Sequence, residues 1–312
     1  MALHSSAEMM IQLLTDAGMT FTADATPEGR RAVMTAATAN PAFPKHPVHE
    51  VTDRTIPGPA GPIPVRVFRP SAATGLPVIL WFHGGGWVTG NLDTHDQLGR
   101  LLADQSGAVV VSVDYRLAPE AKFPAAADDC LAAYRWALEH ADEVGGDASR
   151  VAIGGDSAGG NLAAVVALDA RELGFPQPRL QLLVYPVTDY EFDSAAMMDN
   201  AKGYFLEVEG MRWFWEHYAR TPADYDDPRF SPLRAADLSG LARAVVVTAE
   251  FDPLRDQGEA YGMRLSRAGV PTEVVRADGL IHGFFGMHDF MPPGRDAWDI
   301  SVAALREAFG TV

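Results

Sequence analysis

The 312-residue chain contains a single cysteine, Cys130. One thiol closes no internal disulfide and builds no multi-cysteine metal site, and a reducing, cytoplasmic setting is the default reading. No apolar run reaches the roughly 18 residues that a membrane span requires. The N-terminus, Met1-Ala2-Leu3-His4-Ser5-Ser6-Ala7-Glu8, lacks the positive start and the apolar stretch of a secretory leader. Positive charge is scarce as well: 25 Lys and Arg stand against 41 Asp and Glu, a net charge of −16. Most of such a surface repels a polyanion, which excludes a nucleic-acid partner. There is no internal repeat and no low-complexity tract.

What remains is the composition of a globular protein with a sizeable core: 47% hydrophobic and 21% charged residues. The length fits two domains, or one α/β domain carrying a lid. Short runs rich in Val, Ile and Leu recur from about residue 62. Val78 to Phe82, Ala108 to Val113, Arg150 to Ile153, Leu180 to Val184 and Ala244 to Val247 predict strands covered on both faces. Pro64 to Phe68 alternates like a half-buried strand, Thr272 to Arg276 reads as the last strand, and Val51 to Ile56 adds an edge. Helical stretches lie between them, from Asp93 to Gln105, Pro124 to His140, Ala158 to Leu173, Leu254 to Arg267 and Arg295 to Phe309. Cys130 falls within the second of these and is expected to be buried. The alternation predicts an α/β fold with a mostly parallel sheet. Two segments break it: the first 48 residues are helical in composition, and 187 to 230 hold a dense aromatic set. That set either packs its own rings or lies over the C-terminal edge of the sheet, where open α/β folds bind ligands.

Gly155-Asp156-Ser157-Ala158-Gly159 joins an apolar strand to a helical stretch. A serine on such a sharp turn is pushed out of the sheet edge, and flanking side chains would clash, so glycines are required. A phosphate-binding loop needs Lys-Ser or Lys-Thr where Gly160-Asn161 stands. His83-Gly84-Gly85-Gly86-Trp87 ends another strand. Its bare backbone suits N–H donors aimed at an oxyanion, and Gly85 and Gly86 with Ala158 are the expected donors. His83 is expected to fix the loop, with Gly84 and Asp156 also in supporting positions.

A nucleophilic serine needs a base, and the base needs an orienting acid. His282 lies in a glycine-flanked loop after the last strand, and Asp252 follows the strand that ends near Val247. Glu250 and Asp256 compete with Asp252, and His288 competes with His282 but reads as a surface or helix residue. The chain order Ser157, Asp252, His282 is that of an α/β-hydrolase.

Together with Tyr115-Arg116-Leu117-Ala118-Pro119-Glu120, Asp252-Pro253-Leu254-Arg255-Asp256 and His282-Gly283-Phe284, these motifs resemble the hormone-sensitive lipase family of microbial carboxylesterases. The resemblance covers about residues 50 to 310. It implies an α/β-hydrolase fold with an eight-stranded, mostly parallel sheet. It also implies a helical cap built from 1–48 and 187–225, with the catalytic domain in 49–186 and 226–312. Carried over residue by residue, it makes Ser157 the nucleophile, His282 the base and Asp252 the orienting acid. Gly85, Gly86 and Ala158 become the oxyanion donors. The implied reaction is hydrolysis of small-molecule esters of short to medium chain through an acyl-enzyme, with no cofactor and no metal. The resemblance also allows a homodimer, which no residue in the sequence demonstrates. Trp87, Tyr204, Phe205, Trp213 and Phe214 are the candidates for an apolar acyl pocket, with Trp215 beside them. An amidase or other acyl-transfer enzyme on the same fold is the nearest alternative. A non-catalytic receptor would need a damaged triad, and all three residues are present.

Overall fold

A computed structural model describes residues 2–20, 25–38 and 45–311. Parts of the N-terminal segment expected to be helical, 1, 21–24 and 39–44, lie outside the described residues, as does 312. The apolar runs become strands β1 (Glu50–Ile56), β2 (Ile63–Arg69), β3 (Leu76–Phe82), β4 (Val109–Val113), β5 (Gly146–Asp156), β6 (Gln181–Val184), β7 (Ala244–Phe251) and β8 (Thr272–Ile281). They form one eight-stranded sheet in the order β1-β2-β4-β3-β5-β6-β7-β8. β1 pairs antiparallel with β2, and β2 with β4, while every remaining pair is parallel.

Alternate residues of a strand face opposite layers, so a central strand must be apolar throughout. Along β3, Val78, Leu80 and Phe82 join one core, and Ile79 and Trp81 join the other. The first core holds α4 (Ala125–His140), α5 (Ala158–Glu172), α7 (Val208–Tyr218) and α8 (Arg255–Arg267). The second takes residues from α1 (Ser5–Asp16), α3 (Asp96–Ser106) and α9 (Arg295–Phe309). Helices α2 (Pro27–Thr38) and α6 (Ala195–Asp199) are the remaining α-helices among the described residues. Cys130 is buried in α4, and its apolar surroundings push the thiol well above its ordinary range.

Two boundaries differ from the sequence expectation in ways that matter for the site. β5 runs on to Asp156, so Ser157 is the first residue beyond the strand. β7 continues past Val247 to Phe251, which keeps Glu250 inside the strand and leaves Asp252 just outside it. Parallel strands end at a common edge, and this one collects the ends of β3, β5, β6, β7 and β8. Helix α2 is fastened near that edge by Arg31, whose guanidinium donates to both carboxylate oxygens of Glu120 at 2.7 Å. It also donates to the carbonyls of Val88 at 2.7 Å and Ala118 at 2.8 Å.

Candidate active site

Ser157 alone links β5 to α5, with φ 58° and ψ −118°. A left-handed φ is costly for a residue with a Cβ, and such strain persists only where the surroundings hold it. Here the Ser157 N–H donates to the Val184 carbonyl at 2.8 Å, and its carbonyl accepts from Asn161 at 3.1 Å. The turn also demands close approach of bare backbone. A Cβ on Gly159 would lie 1.8 Å from the Phe82 carbonyl oxygen, and one on Gly155 would lie 2.4 Å from Gly159. Gly159→Ala is therefore expected to lose at least the roughly 1–3 kcal/mol typical of overpacking. A denaturant titration checks this; unchanged stability would mean that β3 and α5 separate freely.

The side chain of Ser157 meets His282 immediately. His282 Nε2 lies 3.0 Å from Ser157 Oγ, and His282 Nδ1 lies 2.7 Å from Asp252 Oδ2. Asp252 is fully buried, and its Oδ1 accepts from the Leu254 N–H at 2.8 Å. Both competing acids are occupied elsewhere. Glu250 accepts from the Gly279 N–H at 2.7 Å, while Asp256 accepts from the Ala196 N–H and from Arg255, each at 2.8 Å. His288 corrects the sequence reading: it is not at the surface but buried in a turn against Trp298, and burial pushes its pKa down.

The glycine loop after β3 is bound to the serine turn through Asp156. Asp156 Oδ1 accepts from the Gly84 N–H at 3.1 Å and the Trp81 indole at 3.2 Å, while Oδ2 lies 3.2 Å from His95 Nε2. Burial alone would raise the Asp156 carboxyl, but His95, with His83 and His282 further off, holds it below the ordinary range. His83 is fully buried and stacks on Tyr115 at 4.3 Å. Burial, reinforced by His95 beside it, lowers its pKa to about 3, so it stays neutral at working pH. Gly85 and Gly86 take φ values of 122° and 59°. Among the described residues, neither they nor Ala158 donate a backbone hydrogen bond to another protein group. A Cβ on Gly86 would lie 2.2 Å from the Phe214 ring, so that ring rests directly on the loop.

Above these groups is a cavity of about 150 Å³, walled by the glycine loop, Ser157, His282, α2 and the segment around α7. Four non-glycine residues among those described have a left-handed φ, namely Trp87, Ser157, Tyr185 and Phe205. All four line this cavity, so the backbone strain of the fold is concentrated there. The aromatic candidates divide. Phe205 and Phe214 line the cavity, and Trp87 borders it with a fully buried ring stacked on Tyr218 at 4.4 Å. Tyr204 is not brought to the wall; its ring lies 5.1 Å from Phe251. Trp213 also stays off it, against His217 and Phe214, and Trp215 is buried against Tyr190 and Phe192. Side chains on a helix point in several directions, so consecutive residues 213–215 cannot all face one cavity.

Sequence reasoning missed several wall residues. Tyr185 follows β6 at the shared edge and packs on His282 at 4.3 Å, so its position just beyond a parallel strand was a usable signal. Arg30, Val33 and Met34 of α2 carried no motif, and neither did Met211 of α7.

The α/β-hydrolase-fold family profile matches residues 79–286. This chain belongs to that family. The hydrolase is 48% identical over 272 residues to the carboxylic ester hydrolase LipN of Mycobacterium tuberculosis, covering 85% of its own chain and 72% of that relative. It is 42% identical over 249 residues to an ethyl acetate hydrolase of Pseudomonas putida, covering 78% of each. Among solved structures it is similar to an ester hydrolase from the metagenome of Lake Arreo, complexed with a derivative of bipyridine phosphonate. That likeness has a TM-score of 0.93 and 42% identity, and spans 99% of this chain and 100% of the other. The resemblance to microbial carboxylesterases of the hormone-sensitive lipase type therefore holds. No helix among the described residues is long and apolar enough to cross a membrane.

Proposed function

We propose that the protein is a serine carboxylesterase that cleaves small esters of short to medium chain through an acyl-enzyme. The observation that carries this reading is the hydrogen-bonded chain Ser157–His282–Asp252 at the floor of the cavity. His282 Nε2 takes the Ser157 proton as Oγ bonds to the ester carbonyl carbon. The carbonyl oxygen becomes an oxyanion held by the N–H groups of Gly85, Gly86 and Ala158, at the positive end of α5. Collapse of this intermediate breaks the bond to the alcohol, which leaves with the proton from His282. Water then attacks the acyl group under the same base, and the acid departs. Asp252 keeps the proton on Nδ1, so that Nε2 faces Ser157 as an acceptor. Asp156, His83 and Gly84 hold the glycine loop against the serine turn.

The relatives described above are named for ester hydrolysis, which favours an ester over an amide. A complete triad argues against a receptor. The segments 1–48 and 187–225 act as the cap, a reading supported by the cavity walls that α2 and the region around α7 supply. A cytoplasmic setting belongs to the same reading and is supported by the single, buried cysteine.

A cavity of about 150 Å³ accommodates few methylenes, so p-nitrophenyl esters are expected to turn over best at short acyl chains. Phe214→Ala opens the wall above Gly86 and shifts the optimum toward longer chains. Initial rates from acetate to palmitate test both points. An equal fall at every length would make Phe214 a packing residue only, and no turnover of any ester would remove the esterase reading itself.

A further inference from the structure

Arg30 and Arg31 are neighbours on α2 with opposite circumstances. Arg31 is saturated by Glu120 and two carbonyls and faces the loops. Arg30 lines the cavity that contains Ser157 and His282. Its Nη1 donates to the carbonyls of Met19 and Thr20, both at 2.9 Å. Among the described residues it has no carboxylate partner, and burial pushes its pKa below the ordinary arginine value with nothing to offset it. The neighbouring wall is apolar, with Met19, Val33, Met34 and Met211. The carboxylate-bearing wall residue on the cap side, Glu207, accepts from the Gly203 N–H at 2.9 Å.

A half-buried guanidinium is costly without a counter-charge, and Arg66 and Arg116 have carboxylates for theirs. Arg264 does without one by donating from both Nη1 and Nη2 to the carbonyls of Leu233 and Ala235, whereas Arg30 uses Nη1 alone and lines the cavity. Nε and Nη2 remain as donors in the planar fork, a geometry that fits a carboxylate. We propose that Arg30 is a specificity-determining residue that binds a carboxylate carried by the substrate, away from the scissile ester. The substrate class is then a hemiester of a dicarboxylic acid or an ester of a hydroxy-acid. This rests on the esterase reading and narrows it.

The test pairs charged and neutral esters of matched shape. On the acyl side p-nitrophenyl hydrogen glutarate is set against p-nitrophenyl hexanoate; on the alcohol side para-acetoxybenzoate is set against p-tolyl acetate. Arg30→Met is expected to lower kcat/KM for at least one charged probe by roughly tenfold or more, the loss of a charge-assisted pair. The neutral twins report whatever the change does to folding and to the cavity wall, so the charged-to-neutral ratio of kcat/KM is the readout and should fall by that same roughly tenfold. Should the Met variant fail to fold, Arg30→Lys and Arg30→Gln carry the same comparison: Lys retains the charged substrate and Gln loses it. Equal effects on charged and neutral twins, or none on either charged probe, overturn the proposal. Loss of all four substrates by the wild type would instead overturn the esterase reading.

Discussion

Ser157→Ala is expected to reduce ester turnover by on the order of 10⁴–10⁶-fold, the range over which loss of a serine nucleophile removes covalent catalysis. The residual rate would come from the donors of the glycine loop and from binding. Alanine keeps a Cβ and so experiences much the same strain at φ 58° as serine does. Only the 3.0 Å contact with His282 is lost, so the thermal midpoint should stay within a few degrees of the wild type. The check is a stopped-flow burst with p-nitrophenyl acetate, with intact-mass measurement of the acyl adduct. The wild type shows both, and the variant shows neither. A variant that still forms an adduct would place the nucleophile elsewhere.

Asp252→Asn is expected to lower kcat by about 10³–10⁴-fold while KM changes little. The argument runs through the amide's orientation. Leu254 N–H donates to Oδ1 at 2.8 Å, which requires an acceptor there and places the carbonyl oxygen of asparagine at that position. The NH₂ group then faces His282 Nδ1, which must become an acceptor, and the remaining proton shifts to Nε2. That proton points at Ser157 Oγ, so the imidazole no longer accepts the hydroxyl proton. Fold should survive, because both polar partners of residue 252 remain satisfied in this arrangement. Glu250→Gln is the control, since the Glu250 carboxylate accepts from the Gly279 N–H of the neighbouring strand β8 and makes no hydrogen bond to His282 among the described residues. A larger loss in Glu250→Gln than in Asp252→Asn would transfer the acid's role to Glu250.

The competition between Glu250 and Asp252 shows where sequence reading was effective and where it was not. The apolar run of β7 announced a strand, but the strand continues four residues past Val247, to Phe251. Its pairing with β8 carries it that far, and such pairing has no local signature. The residue type and spacing still placed an acid just beyond the strand. The glycine motifs were more directly legible. A side chain at Gly159 is costly because the Phe82 carbonyl occupies the space of its Cβ, and the sequence shows a glycine at that point of the motif. The aromatic segment lacked any such constraint. Trp213, Phe214 and Trp215 are similar in hydrophobicity, yet only Phe214 reaches the cavity, because the rotation of α7 against Trp87 and Tyr190 selects its face.

By itself, therefore, the sequence determined the α/β alternation, the order Ser157–Asp252–His282 and the two glycine turns. Each is written in a short stretch of chain, where backbone geometry restricts the residue directly. The tertiary structure alone decided which rings wall the cavity, that His95 and Trp81 share the Asp156 carboxylate, and that His288 is buried. It also decided that Arg30 of the N-terminal helix faces the same space as Ser157. These depend on how segments distant in the chain pack together, and packing leaves no periodic or local mark at the residues it selects.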